Sequence, residues 1–190
     1  MSHPVGDRSP DPLEERRVGL ARDGDEDAFA ALVRAHQDRL YRVALRMTGD
    51  RHDAQDVVQE SFLQAWQHLG DFRGEAQFST WVTRILINRC HNLRRGSRPV
   101  QPLPDETVET PEALRTPPAD TLAEAASRRD AVRRALLALP VEQRAPLVLT
   151  TFGGHTLADT GRILGISEGA AKVRVHRARR ALATLLQEWR

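Results

Sequence analysis

The stretch Thr156–Leu182, TLADTGRILGISEGAAKVRVHRARRAL, sets the reading of the chain. Leu157, Gly161 and Leu164 fall at helical spacing, which predicts a short amphipathic helix from Thr156 to Leu164. Gly165 stops it, as a glycine just past a helix end does. Ser167 then suits the cap of a second helix, its hydroxyl accepting from a first-turn amide. In that helix Ala171, Val175, Ala178, Leu182 and Leu185 recur at steps of four and three and form one inward stripe. Lys172, Arg174, His176, Arg177, Arg179 and Arg180 take the other faces. A basic amphipathic helix alone is often a solvated one whose Arg stems lie on the core. The Leu-Gly-Ile-Ser turn directly before it makes the pair a helix-turn-helix that contacts DNA. Gly169 and Ala170, small residues at the tip of the second helix, let its backbone approach a groove closely.

Composition narrows the class. The chain has 190 residues, room for one or two compact domains, and a net charge of only +2. Its basic character is therefore local: residues 156–190 hold seven Lys or Arg against three Asp or Glu, and residues 96–124 hold two against six. A basic end beside an acidic stretch fits a nucleic-acid reader better than a membrane binder. No apolar run approaches a membrane span and no leader pattern opens the chain, so a cytoplasmic protein without membrane insertion is expected. One cysteine, Cys90, excludes an internal disulfide.

Upstream, the same periodicity predicts helices from about Asp25 to Met47, His52 to Leu69, and Ser79 or Thr80 to Arg95. Phe29, Leu32, Val33, His36, Leu40, Val43, Ala44 and Met47 trace the inward face of the first, and Thr48-Gly49-Asp50 breaks it. Ala54, Val57, Val58, Ser61, Ala65 and Leu69 face inward on the second, leaving Asp53, Asp56, Gln59 and Glu60 as an acidic outer patch. Gly70–Gln77 is a polar loop, and Val82, Ile85, Leu86, Arg89 (by its stem) and Leu93 line one side of the third helix.

No strand-like alternation occurs, so the expected class is all-α. The expected organisation is a tail and helix lead-in over 1–24, a three-helix domain over 25–95, an acidic Pro-rich linker over 96–122, and a four-helix domain over 123–190. The linker carries six of the eleven prolines. Pro146 falls inside a predicted helix, where it removes one backbone hydrogen bond.

DAQDVVQESFLQAW (Asp53–Trp66), FRGEAQFSTWVTRILINRC (Phe72–Cys90) and LPVEQRAPLVL with the helix-turn-helix (Leu139–Arg180) together resemble the extracytoplasmic-function sigma factors of the bacterial sigma-70 family. Each piece is weakly specific, whereas all of them in this order around a Pro-rich linker are very specific. The resemblance implies a promoter-specificity subunit that binds core RNA polymerase and starts transcription, held in check by an anti-sigma factor.

It implies that Asp53, Asp56, Gln59 and Glu60 dock on the polymerase clamp helices. It further implies that Phe78, Ser79, Trp81, Arg84, Asn88, Asn92 and Arg95 open and read the minus-ten element. Ser167, Ala170, Lys172, Val173, Arg174, His176 and Arg177 would read the minus-thirty-five element. Amides suit base edges, guanidinium groups suit phosphates or guanine, and a Val side chain suits a thymine methyl.

The chain departs from the family at Asn92, where aspartate is common. It also has Gly169-Ala-Ala-Lys-Val-Arg174 where the family often has Gly-Thr-Val-Lys-Ser-Arg, and Gly161 where alanine is usual. That last change costs about 1 kcal/mol of helix propensity unless close packing needs it. No cofactor and no metal are expected: the histidines are scattered, and Cys90-His91 lacks a second pair for zinc. The alternative reading is a conventional helix-turn-helix regulator that binds duplex DNA without polymerase. An enzyme is not expected, since the chain has no phosphate-binding Gly-rich loop and no metalloprotease motif.

Overall fold

The computed structural model describes residues 11–96 and 119–187. They form α1 (Pro12–Arg22), α2 (Glu26–Thr48), α3 (Arg51–Gln67), a 3-10 turn (Leu69–Asp71), α4 (Phe78–Gly96), α5 (Ala119–Ala138), α6 (Val141–Thr151), α7 (Leu157–Leu164) and α8 (Glu168–Gln187). The all-α class and the two helical units, α1–α4 and α5–α8, match the sequence reading. Of the expected linker, 97–118 lie outside the described residues; Gly96 closes α4 and 119–122 open α5.

Helix ends fall where the chemistry puts them. Asp25 and Asp50 cap α2 and α3, their carboxylates accepting from the amides of Ala28 (2.9 Å) and Asp53 (3.0 Å). Gly49 ends α2 in the left-handed region, at φ 82°. α6 runs through Pro146.

One helix is additional to the sequence reading. Where a tail and lead-in were expected, Pro12–Arg22 is helical, so the first unit has four α-helices rather than three. The signal was present in its first turn: Asp11 accepts from Leu13 N at 3.0 Å, Pro12 follows, and Glu14 and Glu15 face the positive end of the helix dipole. What the pattern lacked was an apolar stripe, since only Val18 and Ala21 of this helix are buried. Glu14 secures it to α2, 3.0 Å from Nε2 of buried His36. On the other side of that ring, Arg39 Nη2 lies 2.8 Å from Nδ1.

The main core is common to both units. Leu32, Leu40, Val43, Met47, Val57, Val82, Leu86 and Ile87 from the first half share it with Ala145, Val148, Leu149 and Ile163 from the second. A smaller cluster of Leu136, Leu139, Leu147, Val175 and Ala178 belongs to the second half alone. α4 packs on α7, and α2 packs on α5 and α6. The polar centre of this joint is Arg144, only 1 % exposed. Its Nη1 donates to Met47 O (2.9 Å), and its Nη2 to Leu137 O (2.8 Å) and Leu139 O (2.9 Å). Those carbonyls belong to the C-terminal ends of α2 and α5, where helix carbonyls lack internal partners and the dipole is negative. A buried cation is thus held without a carboxylate among these bonds.

Candidate nucleic-acid and polymerase interfaces

The outer face of α3 is built by default: once Ala54, Val57, Val58, Ser61 and Ala65 are buried, the helical period leaves Asp56, Gln59 and Glu60 exposed. Asp53 is half-buried in the first turn; desolvation, then the neighbouring Asp50 and Asp56, hold its carboxyl above the usual range. Glu60 is not a free acid. It accepts from Arg89 Nη1 of α4 at 2.6 Å, while Arg89 Nε donates to Gln64 Oε1 at 3.2 Å, so it also fixes α3 against α4. Leu63, 58 % exposed, stands one turn beyond Gln59 and Glu60 on this face. It was missed in the sequence because apolar residues were sought only on the inward stripe; an apolar residue outside that stripe is the signal.

On α4, Arg84, Asn88 and Asn92 are exposed and spaced by four, which aligns a guanidinium and two amides along one edge. The side chain of Arg95 lies outside the described residues. Phe78 and Ser79 do not join that edge, because they are buried at 2 % and 7 % exposure. Phe78 lies in an aromatic cluster, 5.5 Å from His36, 6.2 Å from Phe72 and 5.9 Å from Trp81 between ring centroids. Phe72, itself buried, stacks at 5.1 Å on Trp81, which remains half-exposed at the start of the helix. Of these rings Trp81 is the one left half-exposed, beside the polar stripe.

The helix-turn-helix is confirmed in detail. Thr156 and Asp159 form a reciprocal capping box: Asp159 N donates to Thr156 Oγ1 at 2.8 Å, and Thr156 N to Asp159 Oδ2 at 3.2 Å. Partial burial pushes the Asp159 carboxyl upward, but hydrogen bonds from Thr156 and Arg162 outweigh it and hold the group below its usual range. Gly165 turns the chain at φ 66°, and Ile166 N closes the turn on Gly161 O at 2.9 Å. The unusual Gly161 has its reason here: a Cβ would stand 2.7 Å from Ile166 O and 3.3 Å from Glu168 N.

Ser167 Oγ accepts from Ala170 N at 3.1 Å, so this side chain fixes the helix tip. Ala170 and Arg174 are half-buried. Lys172, Val173, His176 and Arg177 are exposed together, with Val173 at 49 % in their midst. That grouping offers cations to phosphate or guanine and an apolar group to a thymine methyl. Among the described residues no group of His, Cys, Asp or Glu is arranged to hold a metal, and no helix is long and apolar enough to cross a membrane.

Two exposed polar edges on separate helical units, one of them on a helix-turn-helix, fit the architecture of a two-domain DNA-binding protein. Comparison with known proteins places it. The family descriptions Sigma-70 region 2 and Sigma-70 region 4 match residues 32–99 and 129–182. The chain is 42% identical over 165 residues to the ECF RNA polymerase sigma factor SigM of Mycobacterium tuberculosis, covering 86% of this chain and 79% of that one. It is 33% identical over 183 residues to ECF sigma factor SigW of Bacillus subtilis, covering 92% and 97%. Among solved structures, CnrH in complex with the cytosolic domain of CnrY superposes with a TM-score of 0.72 at 28% identity, over 93% of this chain and 98% of that one. The chain belongs to the ECF group of the sigma-70 family of RNA polymerase sigma factors. Its function is that of a sigma factor, not of an enzyme.

Proposed function

We propose that this chain docks on core RNA polymerase through the exposed face of α3, with Asp56, Gln59 and Leu63 as the contact and Asp53 and Glu60 at its edge. Acid and amide groups there steer a basic partner surface, and Leu63 supplies apolar area that desolvates on contact. Arg84, Asn88 and Asn92, continued by Arg95, read and hold the minus-ten strand, with half-exposed Trp81 available for contact with an unstacked base. Phe78 and Ser79 act by holding Trp81 and the start of α4 in place. In the second unit Lys172, Val173, His176 and Arg177 meet the minus-thirty-five element, while Ser167 and Ala170 set the helix tip and Arg174 supports it. The factor works in the cytoplasm and is restrained by an anti-sigma partner, a reading supported by the partner-bound state of CnrH.

The observation that carries this reading is the presence of two exposed polar edges, on α4 and α8, together with an exposed acid-amide face on α3. A regulator acting alone on duplex DNA has no use for that third face. The test is transcription in vitro with purified core polymerase on promoter fragments. Discrete transcripts that need both components are expected. Absence of transcripts, together with tight binding of the protein alone to duplex, would replace this reading with that of an independent regulator.

A further inference from the structure

We infer that Glu14 is a positioning residue for opening the minus-ten element: from α1 it fixes His36, and through His36 the rings that hold Trp81 and the loop before α4. The inference rests on the proposed contact of Trp81 with an unstacked base. It starts from α1, which lies ahead of the stretch that matches Sigma-70 region 2, residues 32–99. This helix buries only Val18 and Ala21, so little apolar area holds it in place. It adds a carboxylate turned toward the core. Glu14 Oε2 stands 3.0 Å from Nε2 of His36, a residue only 5 % exposed.

From His36 the contacts lead to the start of α4. Its ring lies 5.5 Å from Phe78, Phe78 lies 5.9 Å from Trp81, and Phe72 lies 5.1 Å from Trp81, all between centroids. Phe72 and Phe78 are buried, and the chain between them is largely exposed, so these rings pin both ends of that loop. α1 also packs on the Leu69–Asp71 turn that leads into it. A cavity of about 140 Å³, lined by Asp11, Glu14, His36, Arg39, Gln77 and Ser79, marks the meeting of α1, α2 and the start of α4. Asp11 caps α1 there, accepting from Leu13 N at 3.0 Å, which leaves Glu14 as the carboxylate for His36 and Arg39. Burial lowers the pKa of the Arg39 guanidinium, and the charge of Glu14 offsets part of that. Close-packed rings absorb little displacement, so a shift of His36 passes to Phe78 and on to Trp81. A half-exposed ring that must meet a base performs best when it is already held in place, because less freedom is then lost on contact.

Two experiments on the full chain test it. In protein labelled with 5-fluorotryptophan, Glu14→Ala is expected to shift or broaden the fluorine resonance of Trp81. The resonance of Trp66, stacked on Phe29 at 4.9 Å, should stay in place. Trp66→Phe and Trp81→Phe assign the two signals. An unmoved Trp81 resonance, or equal movement of both, would overturn the inference whatever transcription shows. With core polymerase, opening is read by 2-aminopurine in the minus-ten segment of a promoter fragment found by transcription in vitro. Glu14→Ala is expected to open it about 3- to 30-fold more slowly at unchanged affinity for core. Glu14→Gln, which keeps the length and an oxygen acceptor, should stay near wild type. Trp81→Ala should also be slow, and the double variant no slower than Trp81→Ala alone, because both changes act through one ring. Effects that multiply would overturn the inference alone, as would a Glu14→Ala variant as fast as wild type beside a slow Trp81→Ala. A Trp81→Ala variant that opens at the wild-type rate would remove the minus-ten reading of Trp81, and the inference with it.

Discussion

Replacing Arg144 by methionine keeps most of the side-chain volume and removes the charge and its donors. The wild-type guanidinium donates to Met47 O, Leu137 O and Leu139 O, at 2.8–2.9 Å. Hydrogen bonds from a charged group contribute about 1.5–3 kcal/mol each, and desolvating the cation offsets a large part of their sum. Leaving these helix-end carbonyls without that donor costs about 1–3 kcal/mol each, and sparing the cation its desolvation returns part of that, so a net loss of about 3 kcal/mol is expected. Against a total stability of about 5–15 kcal/mol, that is a third or more of the margin in a typical case. Urea unfolding followed by tryptophan fluorescence and far-ultraviolet circular dichroism measures it directly. Arg144→Lys should recover only part of the loss. An ammonium keeps the charge near two negative helix ends, but its donors radiate from one nitrogen and cannot reproduce the spread of the guanidinium fork. A loss below about 1 kcal/mol in the methionine variant, well under the range above, would refute the reasoning. So would a lysine variant no more stable than methionine, because the charge at the helix ends would then contribute nothing.

Other outcomes follow from the same geometry. Leu63→Asp should weaken binding to core polymerase by about 5- to 30-fold, from losing about 1–2 kcal/mol of apolar burial, and leave folding stability within about 0.5 kcal/mol; fluorescence-anisotropy titration and urea melts separate the two. Gly161→Val drives a branched side chain against the backbone at Ile166 and Glu168, costing about 1–3 kcal/mol and weakening minus-thirty-five binding; a stability equal to wild type would show that the turn yields freely. The Cys90 thiol, raised from 9.0 to about 12 by burial, must stay protonated in the fold while the unfolded chain ionises. Stability is therefore full below about pH 9 and lost as pH rises toward 12, by about 1.5 kcal/mol at pH 10 from this group. Cys90→Ala should flatten that slope relative to wild type in urea melts from pH 8 to 10.

The inward faces of α2 and α3 were legible because each buries a single stripe: Leu32, His36, Leu40, Val43, Ala44 and Met47 on one, Ala54, Val57, Val58, Ser61 and Ala65 on the other. α4 was legible only in part. Its predicted face holds Val82 and Leu86, yet Thr83, Ile87 and Cys90 are also buried, because α4 is packed by α7 as well as by α2 and α3. Periodicity within one helix cannot reveal a second partner that arrives from another part of the chain. Arg144 was hidden for the same reason: nothing local marks an arginine as the cap of two helix ends separated from it in sequence. The exposed basic patch on α8 was legible because the turn and the basic period lie within one stretch. Phe78 and Ser79 were placed at the DNA surface by resemblance, whereas both are buried in the structure, Phe78 within the aromatic cluster.

The joint is also built so that opening leaves no buried ion stranded. When the halves separate, Arg144 keeps Leu137 O and Leu139 O, which belong to its own half, while its bond to Met47 O is lost. Arg133 keeps Asp130, to which its Nη2 donates at 2.7 Å. Thr83 keeps Ser79 O at 2.6 Å. The carbonyls of Met47 and Gly49, at a helix end then facing water, exchange an arginine for solvent. Across the joint run the apolar contact of Ala145, Val148, Leu149 and Ile163 with the first unit and the contacts Arg144–Met47, Arg133–Gly49, Thr83–His155 and Arg46–Phe152, none of which joins opposite charges. Apolar contact is nearly insensitive to moderate salt, whereas ion pairs and phosphate binding are screened. Raising ionic strength should thus leave the closed population of the free chain unchanged while loosening its grip on DNA; a closed fraction that fell in step with salt would mean that charge, not burial, holds the halves together.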